Sequence, residues 1–407
     1  MPRIVQLNVT VNWGSTGKIA ESIGIAIKKQ GWESYIAYGR WSCTSQSKLI
    51  KVGENWDMYL HYFEQRIRDN EGLCSRRATK KLIQTLKTIN PDIIHLHNIH
   101  DHWLNYKLLF EYLNDTEIKV VWTFHDFWPI TGHCMHFIST NCLKYQSRCY
   151  DCPMRSQYPK AFIDASYRNY ELKKRLFTAN DNLIIVPVSE WVAEMTRLSF
   201  LKNKPIQVIY NGIDTEIFKP TSLDILDKKK YSCYLTAIKD KFVIMSVASQ
   251  WKYDKGLDDY VKMSRMLNDD EVIVLVGLQD NMLNTLPSNI IGIRRTTNPQ
   301  ELAALYTRAD VITILSSAET FGLTAVEGFA CGTPAVVYNN TAPPSLISDE
   351  VGYVVSDKDY AAAYTAIQGV KKIGKSFYTD TCIKVARENY DIKICIEKYI
   401  QLYSKLI

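Results

Sequence analysis

The stretch Leu-Ser-Ser-Ala-Glu-Thr-Phe-Gly-Leu-Thr-Ala-Val-Glu-Gly-Phe-Ala-Cys-Gly-Thr-Pro-Ala-Val-Val, residues 315–337, decides how this chain is read. The run 311–315 is apolar enough for a buried parallel strand, 316–321 reads as the loop after it, and Leu323–Ala330 has helical character until Gly332-Thr333-Pro334 stops it. Its two carboxylates, Glu319 and Glu327, stand eight positions apart. Glu319 is therefore expected at a strand's carboxyl end and Glu327 on the first turns of the following helix. At that helix start Gly322 and Leu323 offer backbone N–H groups without intrahelical partners, and the helix dipole favours an anion there. Phosphate suits such a helix start, and two nearby carboxylates suit the hydroxyls of sugars. The segment implies a nucleotide-sugar site.

Working outward, short Val/Ile-rich runs alternate with helical segments along the whole chain, the pattern of parallel sheets covered by helices on both faces. At 407 residues, two domains of about 200 residues each are expected rather than one core. Strands are expected at Arg3–Asn8, Glu33–Tyr38, Ile93–Leu96, 120–124, Leu183–Pro187 and 206–210 in the first half. In the second half they are expected at Phe242–Val247, 272–277, Ile290–Ile293, 311–315, 335–338 and 352–355. The division that follows is an α/β domain over 1–218 with a Cys-rich insertion at 132–155, a polar linker at 219–241, and a second α/β domain over 242–390. A terminal helix over 391–407 completes it, with Ile396, Tyr399, Ile400 and Tyr403 at helical spacing. Ligands of such sheets bind at the carboxyl ends of the strands.

No apolar run is long enough for a spanning helix, and the chain opens directly into a strand without a signal-peptide core, so a cytoplasmic protein is expected. Residues 1–205 hold 27 Lys/Arg against 19 Asp/Glu, leaving 22 against 24 for the rest, so the basic face belongs to the first half. Arg66, Arg68, Arg76, Arg77, Lys80, Lys81 and Lys87 follow Tyr59, Tyr62 and Phe63 in one polar stretch. That stretch fits either a solvated helix face or peripheral contact with an anionic membrane. Nucleic acid is not an expected partner, because no helix-turn-helix, RNP or zinc-finger pattern accompanies the charge.

Ten cysteines in a cytoplasmic chain argue against a disulfide framework. Cys134, Cys142, Cys149 and Cys152 nevertheless cluster, the last two as C-x-x-C, among the turn formers Gly132, Asn141 and Asp151. Four thiolates in such a loop suit a structural zinc ion; unligated thiols are the alternative. After the first strand, Asn12-Trp13-Gly14-Ser15-Thr16-Gly17-Lys18 is a glycine-containing loop leading into a helix expected from Ile19. Gly14 and Gly17 there permit close backbone approach, although the spacing is not that of a Walker A loop. Seven of the eight histidines fall between His95 and His136, and His125-Asp126 directly follows an expected strand. The second domain opens with Ser249-Gln250-Trp251-Lys252-Tyr253-Asp254-Lys255-Gly256, two lysines at another strand's carboxyl end.

Glu, then Phe321-Gly322, then Glu eight positions on, then Gly-Thr-Pro before Val-Val, closely resembles the signature of retaining family 4 glycosyltransferases of the GT-B fold. The resemblance covers nearly the whole chain and implies two Rossmann-like domains facing across a cleft, with the last helix returning to the first domain. It implies that Glu319 holds the donor sugar, that Glu327 holds the nucleotide ribose, and that Phe321, Gly322 and Leu323 lie against the donor. By the same resemblance His125 sits beside the anomeric carbon, with Asp126 orienting its ring or touching the acceptor. Gly14 to Gly17 match a loop that touches the donor's phosphates or the acceptor, and 296–301 matches the region that contacts the nucleobase. Lys255 matches a lysine that neutralises the diphosphate. The arginine usual five positions earlier is Gln250 here, which leaves Lys252 to supply the second charge. The run Trp122-Thr123-Phe124-His125-Asp126-Phe127-Trp128-Pro129, followed by the cysteines, resembles a bacterial subgroup of colanic-acid-type exopolysaccharide, capsule and O-antigen assembly.

The expected activity is retaining transfer of a hexosyl group from a nucleotide-diphosphate sugar to a glycan hydroxyl, in a lipid-linked acceptor, without an organic cofactor. A nucleotide-sugar 2-epimerase of the same architecture is the rival enzyme reading. A non-catalytic glycan-binding protein of the same fold is the third, raised by Gln250.

Overall fold

The computed structural model describes residues 1–251 and 253–407 and divides into two compact units, Met1–Tyr210 with Ile396–Ile407, and Asn211–Cys395. In the first unit, β1 (Arg3–Asn8), β2 (Glu33–Tyr38), β3 (Lys48–Lys51), β4 (Ile93–Leu96), β5 (Lys119–Phe124) and β6 (Leu183–Pro187) form one parallel sheet. Its strand order is β3-β2-β1-β4-β5-β6. In the second unit, β7 (Phe242–Val247), β8 (Glu271–Val276), β9 (Ile290–Ile293), β10 (Val311–Ile314), β11 (Ala335–Asn339) and β12 (Gly352–Ser356) form the other. The order there is β12-β11-β10-β7-β8-β9.

Both sheets are doubly wound. The chain reverses direction across the first sheet between β1 and β4, and across the second between β7 and β10. The loops leaving two adjacent strands diverge at such a point and open a crevice there. The strands are near-continuous apolar runs because helices cover both faces: Ile4, Val5, Leu7, Ile93, Ile94, Val243, Ile244, Val311 and Ile312 are all buried. The helix Leu323–Ala330 lies close on β10 because Gly328 meets Ile312, where an added Cβ would come within 2.7 Å of the isoleucine side chain.

Among the described residues, eleven of the twelve expected runs form strands, within one residue at each end. The exception is 206–210, which adds only the bridge Ile185↔Ile206 and the bonds from Gln207 N to Ile185 O and Ile209 N to Pro187 O. Pro187 has no N–H to return, so the ladder stops. The sixth strand is instead β3 at the opposite edge, whose Lys-Leu-Ile-Lys is mostly exposed and too short to stand out as an apolar run.

The first helix begins at Gly14 rather than Ile19, so Gly14 to Gly17 form its opening turn and not a free loop. The stretch 219–241 packs as part of the second unit, carrying the short helix Ser232–Ala237 with Tyr231 and Tyr234 buried, rather than serving as an open linker. The last helix, Ile392–Leu406, buries Tyr399 and Tyr403; these residues belong to the first unit, where their hydroxyls meet Thr123 Oγ1 at 2.8 Å and His95 Nδ1 at 2.6 Å. Among the described residues, no helix is long and apolar enough to cross a membrane.

Candidate functional site

In the second unit the loops after β7 and β10 pack directly on one another. Ser316 Oγ and Ser317 N both donate to the carbonyl of Asp254 at 2.8 Å. Gly256 has φ +73°, and any Cβ there would run into the carbonyl of Leu315, so glycine is what lets the two loops touch. This contact brings Lys255 Nζ to 2.6 Å from Glu319 Oε1, with both side chains 24% exposed. Burial works against the Lys255 charge, but Glu319 and then Asp254 hold its pKa above the ordinary lysine value. A cation and a carboxylate thus stand partly open at the switch point of the sheet.

The helix Leu323–Ala330 starts beside them. Its N-cap is Gly322, in the left-handed region at φ +102°, and among the described residues no side chain caps the helix. Ala325 N donates to Gly322 O at 3.0 Å, and the N–H groups ahead of it are left for another acceptor. Glu327, one turn in, accepts a 2.8 Å hydrogen bond from Tyr306 Oη. Burial, then Glu327, raises the Tyr306 pKa well above its ordinary value, so the phenol stays a donor and holds the carboxylate in place. Phe321 is buried against Tyr390, with ring centroids 5.9 Å apart, and shapes the loop from beneath. Asn298 caps the helix Pro299–Arg308 by accepting from Glu301 N at 2.8 Å. Gln250 is exposed. Lys252 lies outside the described residues.

In the first unit, the histidines that follow β4 and β5 form chains. Gln6 Nε2 donates to Ala20 O at 2.8 Å, which turns Gln6 Oε1 toward His97 Nε2 at 3.1 Å. His97 therefore carries its proton on Nε2 and accepts at Nδ1 from His125 Nε2, 3.1 Å away. That leaves His125 Nδ1 without a hydrogen-bond donor among the described residues, in a residue that is partly exposed. Burial lowers His125 to about 4 and His97 well below its ordinary value, so both rings are neutral at pH 7. Asp126 does not orient this ring. Its carboxylate is taken by His100 Nε2 at 2.8 Å and Trp128 N at 2.9 Å, and it is held at about 2, against the cost of burial, chiefly by His100.

Gly14 has φ +66° and open space where a Cβ would stand. Gly17 serves packing, since a Cβ would come within 2.7 Å of Thr10 Oγ1. The buried Asn8 links the loops after β1 and β4, donating to Thr10 O at 2.8 Å and accepting from Asn98 N at 3.3 Å. Asn8, Gln6 and Tyr306, and the roles of His97 and His100, are not legible from local sequence, because each acts through a partner distant in the chain. Polar residues inside otherwise apolar strands were the available signal for Gln6 and Asn8.

Cys134, Cys142, Cys149 and Cys152 are free thiols lining one small cavity, together with His133. Among the described residues no group of three or more His, Cys, Asp or Glu stands arranged to hold a metal ion.

The family profile described as Glycosyl transferases group 1 matches residues 232–378, and Glycosyltransferase Family 4 matches residues 19–217. The colanic acid biosynthesis glycosyl transferase WcaC of Escherichia coli K12 is 21% identical, over 99% of this chain and all of its own. The sucrose-phosphate synthase of Thermosynechococcus elongatus superposes with a TM-score of 0.71 at 16% identity, over 100% of this chain and 99% of its own. Anabaena Alr3699/HepE, solved in complex with UDP, superposes with a TM-score of 0.66 at 14% identity, over 99% of this chain and 100% of its own. These two likenesses show the GT-B fold.

Proposed function

Because the chain belongs to the family 4-like glycosyltransferases of the GT-B fold, of the exopolysaccharide kind, we propose that it moves a hexosyl group, with retention, from a nucleotide-diphosphate sugar to a hydroxyl of a growing, lipid-linked surface glycan. The observation that carries this reading is the Lys255–Glu319 pair beside the uncapped start of Leu323–Ala330. It offers a cation and free N–H groups for a diphosphate next to a carboxylate for sugar hydroxyls.

The second unit is assigned the nucleotide-sugar and the first the acceptor. The bond between the anomeric carbon and the diphosphate oxygen breaks as the acceptor oxygen bonds to the same face, and the acceptor's proton passes to the departing phosphate oxygen. Lys255 and the N–H groups of Gly322 and Leu323 stabilise the charge that gathers on that oxygen. Glu319 accepts hydroxyls of the sugar, and Glu327, steadied by Tyr306, accepts those of the ribose. The resemblance assigns a sugar hydroxyl to the Nδ1 of His125. Asp126, paired with His100, keeps the loop after β5 in shape, and the turn at Gly14 offers its backbone to phosphate or acceptor.

The lipid-linked acceptor places the reaction in the cytoplasm at the inner face of the membrane. In support, the helix Asn55–Arg68 exposes Trp56, Tyr59, Leu60, Tyr62 and Phe63 to solvent. Phe162 and Ile163, also exposed, are bonded through their amides to the carbonyls of Arg66 and Ile67. An aromatic surface rimmed by Arg66 and Arg68 suits the interface of an anionic bilayer. Sedimentation with anionic and with neutral vesicles tests it: binding to the anionic ones alone, lost in Tyr59→Ser/Phe63→Ser, is expected, and equal recovery with neither vesicle excludes the contact.

The activity itself is tested by melting the protein with a panel of nucleoside diphosphates. The sugar of the stabilising nucleotide is then supplied with lipid-linked acceptor, and the anomeric configuration of the product is read by NMR. Retained configuration in an acceptor-dependent product is expected. Acceptor-independent release of nucleotide with a rearranged sugar would instead identify an epimerase.

A further inference from the structure

In the segment between β5 and the helix Ser166–Thr178, Gly132 N donates to Cys149 Sγ at 3.3 Å. That bond depends on glycine, because a Cβ at residue 132 would run into the carbonyl of Ser166. A backbone N–H aimed at sulfur stabilises negative charge on it. Cys134, Cys142, Cys149 and Cys152 line one cavity.

A second observation concerns charge. Lys173 is 1% exposed, and its ammonium donates to the carbonyls of Trp128 at 2.7 Å and Thr131 at 3.0 Å while lying 3.5 Å from the centroid of the Trp128 ring. Among the described residues it makes no ion pair with a carboxylate. Carbonyls and an indole face solvate a buried ammonium, but they do not balance it. The groups whose charges favour it are Cys149, then the carboxylate of Asp69, then Cys134 and Glu71.

We propose that Cys134, Cys142, Cys149 and Cys152 bind one zinc ion as four thiolates, and that Lys173 balances part of the negative charge of that complex. Binding releases the four thiol protons to solvent and involves no change of oxidation state. Zinc with four thiolates carries a double negative charge, so the cation beside it is stabilised rather than stranded. Each sulfur sits one rotatable bond from the backbone, and turning the thiols inward is what gathers donors that no described group of three yet brings together. The metal would fasten the loop carrying Asp126 to the helix Ser166–Thr178, because Lys173 projects from that helix onto Trp128 and Thr131. His133 is a rival donor: it lines the same cavity, its Nδ1 is held by Asp69 at 2.6 Å, and its buried Nε2 has no partner among the described residues. The proposal is independent of glycosyl transfer, since a chain inactive with every donor would still bind the metal.

The test is elemental analysis of the full chain purified without chelator, followed by cobalt(II) reconstitution. About one zinc per chain is expected, released in step with modification of four thiols. The cobalt form should show intense sulfur-to-metal absorption and the visible bands of a tetrahedral four-thiolate site. Cys142→Ser and Cys149→Ser should lose the metal, while Cys233→Ser, at an exposed thiol outside the cluster, should retain it. Lys173→Met should lower cobalt affinity by about tenfold or more, and the exposed Lys174→Met should not. The unaltered chain decides the metal itself, whether or not a variant folds. A folded chain that carries no zinc and takes up no cobalt would overturn the proposal, as would a Cys134–Cys152 disulfide found by mass spectrometry. A spectrum of three sulfurs and one nitrogen would replace the four-thiolate site with one that uses His133, and unchanged affinity in folded Lys173→Met would remove the charge-balancing role.

Discussion

Lys255 Nζ lies 2.6 Å from Glu319 Oε1, although the two residues are 64 positions apart. Each therefore sets the other's availability: a diphosphate that draws Lys255 away also releases Glu319 for the sugar. Lys255→Ala is expected to cost about 2–4 kcal/mol of transition-state stabilisation, as the loss of a preorganised charged group does. Glu319→Ala should lower mainly turnover. The double variant should cost clearly less than the two singles added, because each single leaves a partly buried charge without its partner. Steady-state kinetics on the three variants measures this. Near-normal catalysis in Lys255→Ala would place the phosphates elsewhere.

Glu327 has a structural partner as well as its proposed ligand. Glu327→Ala should weaken nucleotide binding and also lower the melting temperature, since Tyr306 Oη is buried and would lose its acceptor at a cost of about 1–3 kcal/mol. Glu327→Gln keeps an acceptor and should restore most of the stability but not the affinity. Parallel calorimetry and nucleotide titration separate the two effects. A Gln variant that binds nucleotide as tightly as the unaltered chain would rule out the ribose contact.

Gln250 is exposed beside the loop that carries Lys255. Gln250→Arg should be tolerated and should raise donor affinity, because it adds a cation facing a dianion. A fall in affinity, in a variant that melts normally, would show that the glutamine is itself required.

Acid should destabilise the chain before it protonates the carboxylates. Burial lowers His61 and His125 to about 4, and His95 and His97 well below the ordinary value. The unfolded chain takes up protons at these positions near pH 6.5 while the folded chain does not. Their contribution to stability is thus complete above about pH 6.5 and is lost as pH falls toward the folded values. His100 and His133 act in the opposite sense: against burial, Asp126 and Asp69 raise them, so their contribution is complete below about 6.5 and is lost as pH rises through the raised values. Asp126 and Glu71, both near 2, lose theirs only in stronger acid. Four lowered histidines outweigh two raised ones, and the melting temperature should fall between pH 7 and pH 5. A melting curve that is flat or rising on acidification over that interval would contradict the neutral histidine network.

The sheets were legible from residue order alone because a strand covered on both faces must be apolar along its whole length, and such runs announce themselves at Ile93–Leu96 or Phe242–Val247 without any partner. The segment around Glu319 and Glu327 was legible for a related reason: strand, loop, glycine and helix start are contiguous, so one local stretch specifies its own geometry. Edges were harder to read, as β3 and 206–210 show, because pairing at an edge depends on which neighbour has N–H and carbonyl groups to offer. Pairings belonged to the tertiary structure. Lys255 meets Glu319 only because β7 and β10 are neighbours, His97 meets His125 only because β4 and β5 are, and Thr123 meets Tyr399 across 276 positions. Periodicity along a chain reports which face of an element is buried. It carries no information on the element lying opposite, which is decided by strand order and by which loops the glycines allow to touch.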